Sequence, residues 1–131
     1  MTDLQRLVDL MPLASELDVR LDAADPDEVR GHLAWAPRHT TAGGILHGGA
    51  VMALADSVGA ICAHLNLPEG AGTATIESKT NFFSALREGH LHAISRPLHV
   101  GTTVITVQTE LLDDTARRIA HTTQTQAVLP R

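Results

Sequence analysis

A lone acid in an otherwise uncharged stretch is the first residue of this chain that could do chemistry. Asp56 lies within GGAVMALADSVGAICAHL (48–65), where Val51, Leu54, Val58, Ile61 and Leu65 recur at steps of three and four and predict a helix. Asp is a poor helix former, and an unpaired charge is costly to bury. Its expected neighbours on one face are Gly49, Met52, Ala53, Gly59, Ala60 and Ala63. A solvated face would more usually carry Glu, Lys or Arg, but this one has no second charge. Small residues around a carboxyl group let a ligand or another backbone come close, and a carboxylate can then act as nucleophile or general base.

The second feature is Gly43-Gly44-Ile45-Leu46-His47-Gly48-Gly49, running into the predicted helix. Taken alone, these glycines could simply permit a tight turn. At a helix N-terminus, however, free amides and the helix dipole favour negative charge. An oxyanion developing on a carbonyl would be stabilised there. Gly48 and Asp56 are eight residues apart, so one helix holds them ~12 Å apart along its axis. One carbonyl cannot touch both, because catalytic contacts are ~3 Å long. Two antiparallel copies of the helix, packed through their small faces, would bring Gly48 of one beside Asp56 of the other. Joint action of the two groups therefore predicts a homodimer with its sites in the interface.

The elements that must position them follow from periodicity. Leu4, Leu7, Val8 and Met11 predict a short helix over 3–11 that Pro12 ends. Leu17, Val19 and Leu21 alternate as a strand, Asp25-Pro26-Asp27 is a turn, and Glu28 to Trp35 alternates again. Pro37 to Gly44 reads as a loop. Beyond the long helix, closed by Pro68, Gly70 and Gly72, the texture turns to β: Thr73–Phe83, His90–His99, Thr102–Leu112 and Ile119–Leu129. Breaks at Arg87-Glu88-Gly89, Gly101 and Asp113-Asp114-Thr115 predict hairpins and an antiparallel meander of these four strands. Only a sheet curled around it could cover a helix of this length, so the architecture is α+β with a central, mostly buried helix.

Composition narrows the function. The 131 residues suit one domain, and 44% hydrophobic content supports a packed core. With only Trp35, Phe82 and Phe83 as aromatics and a net charge of −5, a nucleic-acid binder is not expected. Cys62 is the single cysteine, which excludes an intrachain disulfide and a Cys-based zinc site. The opening MTDLQRLVDLMP lacks the apolar stretch of a signal peptide, and Ala50–Leu65, the most apolar later segment, is too short to span a bilayer. A reduced, intracellular (cytoplasmic) protein with no membrane partner is expected.

HGGAVMALADSVGA (47–60), followed by TATIESKTNFFSAL (73–86), resembles the hotdog-fold acyl-CoA thioesterases of the phenylacetic-acid-degradation type. The resemblance extends along nearly the whole chain (1–131) as one domain, and implies an antiparallel curved sheet wrapped around a long central helix. It implies that Asp56 is the catalytic carboxylate and that the Gly48 N–H polarises the thioester carbonyl. His47 would shape the site near the thioester, and Thr75 would assist the attacking water. Many members carry Asn or Gln six residues before the motif His, where this chain has Thr41. The implied reaction hydrolyses an aryl or short- to medium-chain acyl-CoA to free acid and CoA, without cofactor or metal, in a homodimer or a dimer of two such dimers (a homotetramer). A non-catalytic acyl-CoA-binding protein of the same fold is the alternative.

Substrate contacts follow on the same terms. Gly49, Met52, Phe82 and Phe83 would shape the acyl pocket. Arg38, Arg87 and Arg96 are candidates for the CoA phosphates, and Gly101 and Thr102, in the turn Val100-Gly101-Thr102-Thr103, could donate to pantetheine phosphate. Eight histidines raise a metal reading: His90 and His92 share a strand face, with His99 and His121 on or near neighbouring strands. No carboxylate stands at an evident ligand spacing, so no metal is expected. Ser57 lies within the predicted helix without a G-x-S-x-G motif, which argues against a serine hydrolase. Walker and dinucleotide fingerprints are also missing.

Overall fold

The computed structural model describes residues 3–130; Met1 and Thr2 of the opening segment lie outside the described residues. Its centre is the helix α3 (Gly48–His64), about 25 Å long at 1.5 Å per residue. Val51, Leu54, Val58 and Ile61 are buried as their spacing requires, and α3 packs against all six strands of one sheet. The α+β reading holds.

The strands are β1 (Arg20–Asp25), β2 (Glu28–Ala34), β3 (Gly72–Phe82), β4 (His90–Val100), β5 (Val104–Leu112) and β6 (Arg118–Leu129). All neighbouring pairs are antiparallel, in the order β1-β2-β4-β5-β6-β3. Period-two burial puts Val29 and Leu33 of β2, Ile105, Val107 and Leu111 of β5, and Thr122, Gln124 and Gln126 of β6 against the helix. Cys62 is buried in the same core. Burial first, then the Asp25 and Asp27 carboxyls, push its thiol up to about 11, so it stays protonated and inert.

The meander is shorter than predicted. Only β4, β5 and β6 follow one another, while β3 pairs with β6 and lies at the sheet's edge. The reason is that both sides of β4 are taken, one by β5 and the other by β2, through Val29↔Ser95 to Ala34↔His90. The segment containing Arg87-Glu88-Gly89 is therefore a crossover rather than a hairpin. It passes the mouth of α3, where Leu46 N–H donates to the Leu86 carbonyl.

The N-terminal boundaries also shift. The first helix, α1, spans Asp3–Asp9, and Pro12 begins a second one, α2 (Pro12–Glu16), instead of only ending the first. Proline suits a first helical position, where its missing N–H is not needed. Leu17 closes α2, Asp18 takes φ +61, and Val19 N–H returns to the Ala14 carbonyl. The Leu17–Val19–Leu21 alternation thus spans a helix end, and β1 starts only at Arg20.

Candidate active site

The mouth of α3 is built by its own sequence. His47 is the N-cap: its Nδ1 accepts from the Gly49 N–H at 2.7 Å, and its carbonyl accepts from the amides of Ala50 and Val51. A side chain at 49 would put a Cβ 2.8 Å from that Nδ1, so only glycine allows the cap. Of the four amides that open the helix, three are therefore used. The fourth, Gly48 N–H, has no hydrogen-bond partner among the described residues. The approach loop is gripped from two sides, by Trp35 Nε1 donating to the Gly44 carbonyl at 3.0 Å and by Arg87 reaching the Gly43 carbonyl at 3.4 Å. Gly43 and Gly44 take φ +83 and +74, which side chains would oppose.

A cleft of about 380 Å³ opens at this mouth, lined in part by Thr41, Ile45, Gly48, Val51, Phe82 and Phe83. The Phe82 ring lies 3.5 Å from where a Cβ on Gly48 would stand. Thr41, Gly48 and both phenylalanines are thus brought together from three separate stretches of the sequence. On the other side of the helix mouth, His47, Gly49 and Arg38 line a second cleft of about 300 Å³ with the buried His39.

Asp56 is half-buried and held by one oxygen. Its Oδ1 accepts from Thr75 Oγ1 at 2.9 Å and from Gln124 Nε2 at 3.1 Å. Gln126 Nε2 donates to Thr75 Oγ1 at 2.7 Å, while Thr73 Oγ1 donates to Gln126 Oε1 at 3.2 Å. The relay Gln126–Thr75–Asp56 aims its protons in one direction, while the single Thr73 hydroxyl proton has a shorter acceptor in the Ala127 carbonyl at 2.8 Å. No hydrogen bond engages Oδ2 among the described residues, so one oxygen is fixed and the other is left for a reactant.

A β-bulge makes both halves of this arrangement possible. Thr75 pairs with Gln126, but Glu77 pairs with Thr125, leaving Ile76 as the extra residue. Thr75 and Phe82 are seven residues apart, and in an uninterrupted strand an odd separation sends them to opposite faces. The bulge reverses the parity. Thr75 then meets Asp56 while Ser78, Thr80 and Phe82 continue on the helix side.

Gln124 and Gln126, each 1% exposed, are the members of this candidate site that sequence reasoning missed. Their signal was present, since Thr122, Gln124 and Gln126 put polar side chains at the core-facing positions of β6, where apolar residues are expected. Gln124 also explains a glycine. A Cβ at Gly59 would collide with its carboxamide oxygen. Gly59 and Ala63, one and two turns on from Asp56, are buried, and the same Gln124 carboxamide reaches both Asp56 and the Gly59 backbone. The face that α3 leaves partly open carries Gly49, Met52, Ala53, Asp56 and Ala60.

The remaining expected contacts lie elsewhere. Gly101 and Thr102 form the β4–β5 turn, where Gly101 N–H donates to the Val104 carbonyl. Arg96 lies on the sheet face away from α3 and is ion-paired to Glu28 at 2.7 Å. Hydrogen bonding from Arg30 leads the effects that lower the Glu28 carboxyl, which Arg96 reinforces. His121 faces Gln108, while His90 and His92 meet Asp114 on the outer sheet face.

Comparison with known proteins agrees with this geometry. The Thioesterase superfamily profile matches residues 43–120, from the glycine loop to the start of β6. The chain is 28% identical over 113 residues to the 1,4-dihydroxy-2-naphthoyl-CoA hydrolase of Escherichia coli, covering 86% of this chain and 83% of that one. It is 27% identical over 112 residues to the proofreading thioesterase EntH of Cronobacter sakazakii, covering 86% and 76%. A crystal structure of a mutant of the Pseudomonas aeruginosa thioesterase PA1618 superposes with a TM-score of 0.93 at 26% identity, covering 100% and 96%. No described helix is long and apolar enough to cross a membrane. The chain belongs to the Thioesterase superfamily: it is a hotdog-fold thioester hydrolase.

Proposed function

We propose that the chain hydrolyses acyl-CoA thioesters as a homodimer of the phenylacetic-acid-degradation type, with residues 1–131 forming one thioesterase domain. The observation that carries this reading is the pair of unused groups, the Gly48 N–H and Asp56 Oδ2, on one uninterrupted helix. They stand ~12 Å apart along its axis, so a two-fold partner is needed to bring Asp56 of the partner subunit to the Gly48 cleft. Two features support such a partner. The open face of α3 is made of small residues, and β3 is an edge strand whose Ile76 is 62% exposed. Two such dimers pairing as a tetramer is compatible with the same edge use.

In this arrangement the thioester carbonyl oxygen accepts from Gly48 N–H, where a developing oxyanion gains most. Asp56 Oδ2 either attacks the carbonyl carbon or takes a proton from the water that does. If Asp56 attacks, the C–S bond breaks, CoA leaves as thiolate and is protonated, and water then hydrolyses the resulting Asp56–acyl anhydride to free acid and carboxylate. If water attacks, Asp56 takes its proton, the C–S bond breaks with the same fate for CoA, and the acyl carbon keeps the water oxygen as free acid. Both routes need Oδ2 unencumbered, and Thr75 and Gln124 leave it so by binding only Oδ1. His47 holds the helix mouth in shape. The Phe82 and Phe83 rings and Met52 favour an aryl or short to medium acyl group, in line with the aromatic acyl-CoA named for the E. coli relative. Arg38 and Arg87, exposed beside the clefts, suit the CoA phosphates better than Arg96, which Glu28 already holds. The cytoplasm, where CoA esters are made, is the compartment this reading implies.

The test is thiol release across aryl, short- and medium-chain CoA esters, with Asp56→Asn beside the parent. Asparagine keeps an oxygen for Thr75 and Gln124 but no base, so turnover should fall at least ~100-fold in a folded dimer. Tight binding of CoA esters with no thiol release by the parent protein would instead identify an acyl-CoA-binding protein.

A further inference from the structure

The alternation that points Leu91 and Ala93 of β4 at the helix turns His90 and His92 to the outer face of the sheet. His32 on β2 pairs directly with His92 in the same register. The three imidazole rings are mutual neighbours, with centroids 5.6, 5.9 and 6.0 Å apart. Two carboxyl groups border them. Asp22, the extra residue of a β1 bulge, lies 2.9 Å from His32 Nδ1. Asp114, from the β5–β6 turn, lies 2.7 Å from His92 Nε2 and 3.3 Å from His90 Nδ1.

We propose that His90, His92 and Asp114, with His32 as a fourth donor, bind a divalent transition-metal ion of the zinc class. The ligand atoms of the first three residues lie within 4.8 Å of one another. Ligands at about 2.0–2.1 Å from a tetrahedral zinc are about 3.4 Å apart, so small side-chain rotations suffice. His32, its ring 5.6 and 5.9 Å from those of His90 and His92, would offer Nε2, because Asp22 already holds its Nδ1. A carboxylate on the far nitrogen of a ligating histidine is the usual way such a ring is oriented.

The turn that delivers Asp114 is built in advance. Asp113 Oδ1 accepts from Thr115 N–H, Thr115 Oγ1 and Arg117 N–H, and Ala116 takes φ +66. Gly89, at φ +74, has no Cβ to collide with the Asp114 carboxyl. The site lies on the face opposite α3 and does not depend on the catalytic reading. It would tie β2 and β4 to the β5–β6 turn. It also goes beyond the metal-free expectation: the sequence puts no carboxylate at an evident ligand spacing, and the fold brings Asp22 and Asp114 to these histidines.

The experiment uses the full chain, stripped with chelator and dialysed, then titrated calorimetrically with Zn²⁺ and spectroscopically with Co²⁺. One ion per chain is expected, with micromolar or tighter affinity and a thermal midpoint raised by the metal. His92→Ala and Asp114→Ala should each weaken binding at least ~10-fold, and Asp22→Asn by ~10-fold through His32. His90→Ala, at an exposed position, repeats the test should another variant fold poorly, and His64→Ala should leave binding unchanged. Absence of saturable binding by the parent protein, or equal binding by the His90, His92 and Asp114 variants when folded, overturns the proposal and leaves a polar network only.

Discussion

Replacing Gly48 with proline should remove one hydrogen-bond donor and little else. Gly48 is the first residue of α3, where proline is favoured because that N–H has no helical partner. Gly48 is not among the glycines with positive φ, and His47 before it has φ −61 and ψ 134, the extended conformation a pre-proline residue adopts. A Cβ at 48 would meet Phe82 at 3.5 Å, an ordinary contact. The helix should therefore survive while the amide is lost. Removal of one oxyanion donor costs about 2.7–4 kcal/mol of barrier, or ~100–1000-fold in kcat. Gly48→Ala, which adds the Cβ but keeps the N–H, is the control. Thiol release gives the rates, and circular dichroism with the thermal midpoint reports the fold. If folded Gly48→Pro turned over within about threefold of Gly48→Ala, under ~1 kcal/mol, the amide would carry no developing charge and the reasoning would fail.

The same variant tests which chain supplies the acid. In a two-fold dimer mixed from Gly48→Pro and Asp56→Asn chains, one site receives both intact groups and the other receives neither. Random mixing makes half the dimers mixed, so about one quarter of the parent activity should return. Were both groups drawn from one chain, every site would keep one defect and mixing would restore nothing.

Three further outcomes follow from the structure. Thr75→Val removes the donor that orients Asp56 and leaves Gln126 Nε2 without its acceptor, so kcat should fall at least ~10-fold and the thermal midpoint should drop, a buried unpaired donor costing about 1–3 kcal/mol; an unchanged kcat would place Thr75 outside the reaction. Gly59→Ala ordinarily favours a helix by about 0.5–1 kcal/mol, but here its Cβ meets the Gln124 carboxamide. Loss of turnover is expected with no such gain in stability, and a more stable, fully active variant would contradict the contact. The Asp113 carboxyl is held at about 2 instead of 3.8, first by Thr115 and then by the Arg117 amide. The folded state thus binds this proton less readily than the unfolded one, so the contribution is full above the ordinary value and is lost as pH falls through about 2. Denaturant unfolding from pH 5 downward should show the gap between the parent and Asp113→Asn narrowing in acid, and a constant gap would refute it.

What was legible in the chain were the features that depend on local pattern. The 3.6 period fixed α3 to within a residue, and the period-two segments located the later strands because each buries one face. His47, Gly48 and Asp56 were found because glycines and a lone acid are out of place in an apolar helix. Pairing was harder to read, since it is decided by competition for edges. Short links suggested that β3 would pair with β4, but β2 occupies that edge, and local sequence does not report it. The bulge at Ile76 was hidden for a related reason: Thr75-Ile76-Glu77 looks like ordinary strand, and only the pairing on β6 reveals the extra residue. Asp114 near His90 and His92 is a third case, because a turn brings together residues over twenty positions apart.

The cost of the Asp56 network argues that it is kept for chemistry rather than for stability. Asp in mid-helix has poor propensity, and a glycine there costs about 0.5–1 kcal/mol relative to alanine. Gln124 Oε1 is buried with no partner among the described residues, a penalty of about 1–3 kcal/mol. An apolar pair at 56 and 124, with alanine at 59, would remove all three costs together and pack the helix on the sheet directly. Scattered through the molecule, such costs would suggest an indifferent sequence. Here they converge on a single carboxyl group and serve to fix one of its oxygens. The Gly48 amide shows the same economy at the other end of the working helix, where the His47 cap takes three donors and leaves the fourth. Packing needs neither free group, but the proposed thioester hydrolysis across two subunits needs both.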